Sequence, residues 1–137
     1  MNADQLLERI ATTLRRDIGP AVDGEFPKTQ AFMAGVVLQK LGRQIGLQAV
    51  HSAAEEADNQ ALLDDLREAF EQAPVPAALA AALATFAGQR DATTLCGLIT
   101  ALYEGRAALG ETRFDSLIGR VRKSLRASID RRMVYAA

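Results

Sequence analysis

The stretch Thr112-Arg113-Phe114-Asp115-Ser116-Leu117-Ile118-Gly119-Arg120-Val121-Arg122-Lys123-Ser124-Leu125-Arg126-Ala127-Ser128-Ile129-Asp130-Arg131-Arg132-Met133 repeats its apolar residues every three or four positions. Phe114, Leu117, Ile118, Val121, Leu125 and Ile129 form one stripe, which predicts an amphipathic helix over 112–133. The polar side of that helix is basic. Between Arg120 and Arg132, six bases (Arg120, Arg122, Lys123, Arg126, Arg131 and Arg132) face Asp130 alone, a net charge of +5.

Toward the N-terminus the same period recurs. Asp91 is placed to cap a helix over about 92–109, which Gly110 closes. Ala77 to Ala87 is nearly all Ala with Leu79, Leu83 and Phe86, and predicts a helix buried between neighbours. Ala73-Pro74-Val75-Pro76 is a stiff break, because each Pro pushes the preceding residue out of helical geometry. Upstream of it a helix is expected over about 51–72, with Leu62, Leu63, Leu66, Ala69 and Phe70 inward. Its other face carries Glu55, Glu56, Asp58, Asp64, Asp65, Glu68 and Glu71 against Arg67, a net charge of −6. A second helix is expected from Pro27, with a core stripe of Ala34, Leu38, Leu41 and Ile45 and a kink or stop at Gly42 or Gly46. Gly35 suits close helix packing. The first helix starts at Asn2, capped with Gln5, and presents Leu6, Leu7, Ile10, Leu14 and Ile18 on one face until Gly19-Pro20 ends it. Asp23-Gly24 reads as a turn.

The expected fold is an all-α, single-domain bundle of about five to six helices over residues 1–137. Composition agrees: 26 Ala and 17 Leu stand against two Tyr, five Phe and no Trp, a balance that favours helix over strand. A chain of 137 residues can bury a core without disulfide or metal. There is no basic, apolar leader at Met1-Asn2-Ala3-Asp4-Gln5 and no membrane-length apolar run, and a lone Cys fits a reducing compartment. The expected location is the cytoplasm.

Several chemistries are excluded. One His and one Cys do not make a His/Cys zinc site. His51 is followed by Ser52 and Ala53, so no phosphotransfer loop of the kinase type is present, and His51 is expected as a surface residue near a helix start. Cys96, in Thr94-Leu95-Cys96-Gly97, has no base or electropositive setting implied nearby and reads as a buried thiol. No Gly-rich phosphate loop occurs. The chain is therefore expected to be no enzyme by itself, to bind no metal or cofactor alone, and to have no catalytic residues. A net charge of −1 and a pI of about 5.8 argue against a generic nucleic-acid binder.

The near-neutral total hides the acidic 51–72 and basic 120–132 segments. Two readings stand. The two faces pair with each other, or the basic helix docks a partner or an anionic ligand. Arg outnumbers Lys thirteen to three, and Arg is the better interface cation because its planar fork pairs bidentately. Arg113, Arg120 and Arg131 fall on one line of the helix, with Arg122 and Arg126 across the seam.

The order of segments also resembles a known family. Asp4-Gln5-Leu6-Leu7 opens a helix, and Ile18-Gly19-Pro20-Ala21-Val22-Asp23-Gly24-Glu25-Phe26 follows. Ala31-Phe32-Met33-Ala34-Gly35-Val36-Val37-Leu38 runs through a long helix, and the chain closes on a basic amphipathic helix and Val134-Tyr135-Ala136-Ala137. These features resemble small bacterial helical proteins encoded beside aminoglycoside-phosphotransferase-like kinases and acyl-CoA dehydrogenases. In particular they resemble the small partner subunits of 4-hydroxyacyl-CoA kinases of levulinate catabolism. Relatives carry a His near the start of the second helix, where Glu25-Phe26-Pro27-Lys28-Thr29-Gln30 has none. The resemblance implies a non-catalytic accessory subunit of a kinase-like protein. ATP and Mg²⁺ would belong to that partner, and acyl-CoA would lie at the shared interface. The expected contacts with a partner or anion are Lys28, Arg43, Arg113, Arg120, Arg122, Lys123, Arg126, Arg131, Arg132 and Tyr135. The alternative is a helical module that associates with nucleic acid or with itself.

Overall fold

A computed structural model describes all residues, Met1 to Ala137. The chain is all-α and contains no strand. Its elements are α1 (Ala3–Thr13), a π-helical turn (Leu14–Ile18), α2 (Gly19–Ala21), α3 (Glu25–Glu71), α4 (Ala77–Gly88), α5 (Ala92–Glu104), α6 (Arg106–Leu109) and α7 (Glu111–Ala136). The packing resolves into two compact units, one of Met1–Ser52 with Met133–Ala137, the other of Ala53–Arg132.

In the first unit, the backbone N–H of Asn2 donates to Gln5 Oε1 at 3.2 Å, so Gln5 serves the start of α1 as its sequence position implied. Gly19-Pro20 does not end the helical run. The π turn widens the backbone, and Pro20 then sits in the first turn of α2, where a missing N–H and a fixed φ are tolerated. The N-terminal part of α3 lies antiparallel to α1. Asp4 lies beside Gly42 and Gly46, Arg15 beside Gly35, and Gly19 beside Ala31. A Cβ on Gly42 would come within 3.1 Å of the Asp4 carbonyl oxygen, and one on Gly35 within 2.5 Å of Arg15 Cγ. These glycines are needed for backbone approach, and the expected stop at Gly42 or Gly46 is absent: α3 runs unbroken for 47 residues. The penalty of a helical Gly, about 0.5–1 kcal/mol, is small enough for packing to override.

This unit differs from expectation in its core. Leu6, Ile10, Ile18, Leu41 and Ile45 are each 41–49% exposed, and Ala11 is the one buried hydrophobic residue among the described positions of the unit. The close contacts run from Gly35, Gly42 and Gly46 of α3 to Asp4, Leu7, Ala11 and Arg15, one residue along from Leu6, Ile10, Leu14, Leu41 and Ile45.

The second unit has a closed core. Leu62, Leu63, Leu66 and Ala69 of α3 meet Leu79, Leu83 and Phe86 of α4, Leu98, Ala101 and Leu102 of α5, and Phe114, Leu117, Ile118 and Val121 of α7. Phe70, expected inward, is half-buried. α4 is not surrounded as expected. Leu79, Leu83 and Phe86 form a single stripe, while Ala78, Ala81 and Ala84 are exposed, since Ala has little surface that demands burial. Asp91 caps α5, with the Thr94 N–H donating to Asp91 Oδ1 at 2.8 Å. α5 stops at Glu104, short of the expected Leu109. Gly105 turns the chain into the single turn of α6, and Gly110 then takes a φ of 81°, which suits glycine.

Candidate functional site

α7 buries the seam read from its sequence: Phe114, Leu117, Ile118 and Val121 are buried, and Leu125 packs half-buried against the core. Ile129, assigned to the same seam, is 56% exposed. The helix outlasts the expected Met133 and reaches Ala136.

The arginines of α7 divide into two groups. Arg120 is hydrogen-bonded to Asp65, and Arg131 to Asp58. Arg132 reaches Glu55 Oε1 from Nε at 2.8 Å and from Nη2 at 2.5 Å. The acidic face of α3 and one side of the basic helix therefore pair with each other. The Asp58 hydrogen bond holds the Arg131 pKa above the ordinary arginine value. Arg113 serves a different purpose. Its guanidinium donates to the carbonyls of Ala73 and Pro74, both at 2.6 Å, and of Ala69 at 3.5 Å. A helix end leaves its last carbonyls without helical partners, and here a proline-rich break follows. That orphaned end, visible at Ala73-Pro74, was the signal that a cation would be recruited to it.

The second group is Arg122, Lys123 and Arg126, of which Lys123 also borders a groove with Asp58, Asp65 and Arg120. All three are exposed and make no ion pair within the chain. Arg122 donates to Tyr103 Oη at 3.2 Å, which holds its guanidinium beside α5. A shallow groove runs past Gly119, Arg122, Arg126, Ile129 and Asp130. A Cβ on Gly119 would meet nothing within 4 Å, so the groove floor is open there. The result is a small cationic strip ending on an exposed Ile.

The remaining expected contacts lie in the first unit. Lys28 is exposed near the start of α3. Arg43 is exposed and borders a groove with Asp4, Glu8 and Gln39. Tyr135 is half-buried and already engaged within the chain. Its ring stacks on His51, with centroids 4.5 Å apart and planes at 12°, and its hydroxyl donates to the Gln44 carbonyl at 2.7 Å. His51, expected near a helix start, is instead in the middle of α3 and half-buried.

No family model matches the chain, and neither a curated protein nor a solved structure matches it.

Cys96 is exposed, not buried as expected, because it lies on the face of α5 away from Leu98 and Leu102. No group of three or more His, Cys, Asp or Glu side chains is placed to hold a metal ion. No helix is long and apolar enough to cross a membrane. Three further contacts escaped the sequence reading. Arg90 Nε reaches Glu56 at 2.7 Å, Arg106 bonds Glu111 through Nε and Nη2 at 2.9 and 2.7 Å, and the Arg106 guanidinium lies 4.7 Å from the Phe114 ring centre. Only the last two, between neighbours in sequence, could have been sought from spacing.

Proposed function

We propose that this chain is a non-catalytic accessory subunit that docks through the outward strip of α7 onto a kinase. The observation that carries the reading is the residue set left over after internal pairing: Arg122, Lys123 and Arg126 beside the exposed Ile129. Exposed arginines without internal acids, next to apolar surface, are the composition of a protein interface rim. The resemblance of the N-terminal and C-terminal segments to the partners of aminoglycoside-phosphotransferase-like kinases supplies the class of partner. In this reading the kinase phosphorylates the 4-hydroxyl of a 4-hydroxyacyl-CoA in the catabolism of levulinate and related acids. Phosphoryl transfer needs Mg²⁺-binding carboxylates and a base at the hydroxyl, and those belong to the kinase. The cations of this chain would meet an acidic face of the kinase or the phosphates of coenzyme A at the shared interface.

The test is co-purification from the native host. The tagged wild-type chain is expected to bring down a kinase of this class. The Arg122→Glu/Arg126→Glu chain is expected to lose it while keeping its helical circular dichroism. Equal recovery with both chains would refute the assignment to α7.

A further inference from the structure

The first unit leaves a large apolar face uncovered, and its geometry is regular. On α1 and the turns after it, Leu6, Ile10, Leu14 and Ile18 each precede by one position Leu7, Ala11, Arg15 and Gly19. The closely packed contacts to α3 run through Leu7, Ala11, Arg15 and Gly19. On α3, Ala34, Leu41 and Ile45 each precede by one position Gly35, Gly42 and Gly46, which face back to α1. Leu38 likewise precedes Gln39, which accepts a hydrogen bond from Arg15 at 3.0 Å. One residue is a 100° rotation about a helix. Two antiparallel helices rotated by the same offset from their contact line show those residues on the same side. The two apolar stripes are therefore one continuous surface of the hairpin.

We infer that this surface is covered by the same surface of a second copy, giving an antiparallel four-helix arrangement across a two-fold axis. Three observations favour a second copy over another occupant. The first is area. Ala3–Ala21 is about 28 Å long at 1.5 Å per residue, and two helices side by side are about 20 Å wide. That footprint is about 560 Å² in projection, before side-chain relief is added, against the roughly 600–1,000 Å² per partner of a stable interface. The second is shape. A two-helix layer whose two helices share an apolar stripe on the same side is half of a four-helix bundle, and a two-fold axis supplies the other half from an identical layer; Phe32, Met33 and Val37 are exposed on other sides of α3. The third is charge. The two stripes carry no ionisable side chain, so a charged surface would find nothing to pair with there. The segment 1–52 as a whole holds five acids and six bases, so two copies do not repel. The inference does not depend on the kinase, because it concerns the chain alone.

Sedimentation equilibrium on the full chain tests it. The wild type is expected to have twice the 14.7 kDa chain mass at micromolar concentration. Ile10→Arg/Ile45→Arg is expected to have the single-chain mass with helical circular dichroism retained. A monomeric wild type, or a double variant that stays dimeric, would overturn the inference. Because the charged variant could lose its fold, a second readout uses Ile45→Cys in a Cys96→Ser chain. Maleimide labelling at position 45 is expected to slow several-fold as protein concentration rises through the dimerisation range. A rate independent of concentration would overturn the inference in the same way.

Discussion

Arg120 of α7 donates to Asp65 of α3 across 55 positions of sequence, so the most basic and the most acidic segments of the chain meet at this pair. Both side chains are partly exposed, at 35% and 42%. Pairs of this exposure contribute about 0.2–1 kcal/mol. Arg120→Glu places like charges together and is expected to lower unfolding free energy by about 1 kcal/mol in urea titration. Adding Asp65→Arg to it is expected to recover much of that loss. A double variant no more stable than Arg120→Glu would show that the pair is incidental.

Arg113 is the stronger structural arginine. It makes charge-assisted hydrogen bonds to the carbonyls of Ala73 and Pro74, and its removal leaves them with solvent alone. Arg113→Ala is expected to cost about 2 kcal/mol, more than any surface-pair variant. Chemical denaturation would check this, and a loss no larger than that of Arg120→Ala would contradict it.

Two glycine substitutions separate helix propensity from packing. Gly119 has open space where a Cβ would go, whereas a Cβ on Gly42 would come within 3.1 Å of the Asp4 carbonyl oxygen. Gly119→Ala is expected to stabilise by about 0.5–1 kcal/mol. Gly42→Ala is expected to gain less or to destabilise, since the same propensity gain is offset by pushing α1 away. Thermal unfolding of the two variants should move in different directions or by clearly different amounts.

Two carboxylates contribute to the acid limb of stability. The Thr94 backbone N–H holds Asp91 below its ordinary 3.8, and the hydrogen bond from Arg106 holds Glu111 below its ordinary 4.5. A lowered folded-state pKa means that the unfolded chain binds protons first as pH drops. Their stabilisation is complete above those ordinary values and is lost as pH falls through the folded ones. The melting temperature is therefore expected to be insensitive to these groups above about pH 5 and to fall below it. Asp91→Asn/Glu111→Gln should lower the plateau and flatten the acid limb. An acid limb unchanged in the double variant would contradict the assignment.

The periodic stripes of α7 and of the acidic half of α3 were legible because their apolar residues are closed over within one unit. Leu62, Leu66, Leu117 and Val121 are buried as their spacing required. Leu38, Leu41 and Ile45 have equally good spacing, yet Leu41 and Ile45 remain exposed. Periodicity says which residues share a face and not what covers that face. Gly42 and Gly46 misled for a related reason. A helical glycine marks a break when nothing needs the space, and a contact when another backbone does. Among the candidate site residues, the sequence allowed both internal pairing and docking. Arg120, Arg131 and Arg132 follow the first, and Arg122, Lys123 and Arg126 remain without an ion pair, Lys123 although it borders a groove with Asp58, Asp65 and Arg120.

The most direct test of the docking account is a phosphoryl-transfer assay with a kinase of the proposed class, ATP, Mg²⁺ and a 4-hydroxyacyl-CoA. Adding the wild-type chain is expected to raise the rate of phosphorylation, and adding the Arg122→Glu/Arg126→Glu chain at the same concentration is expected to leave it at the kinase-alone level. Equal stimulation by both chains, or none by the wild type, would contradict the account.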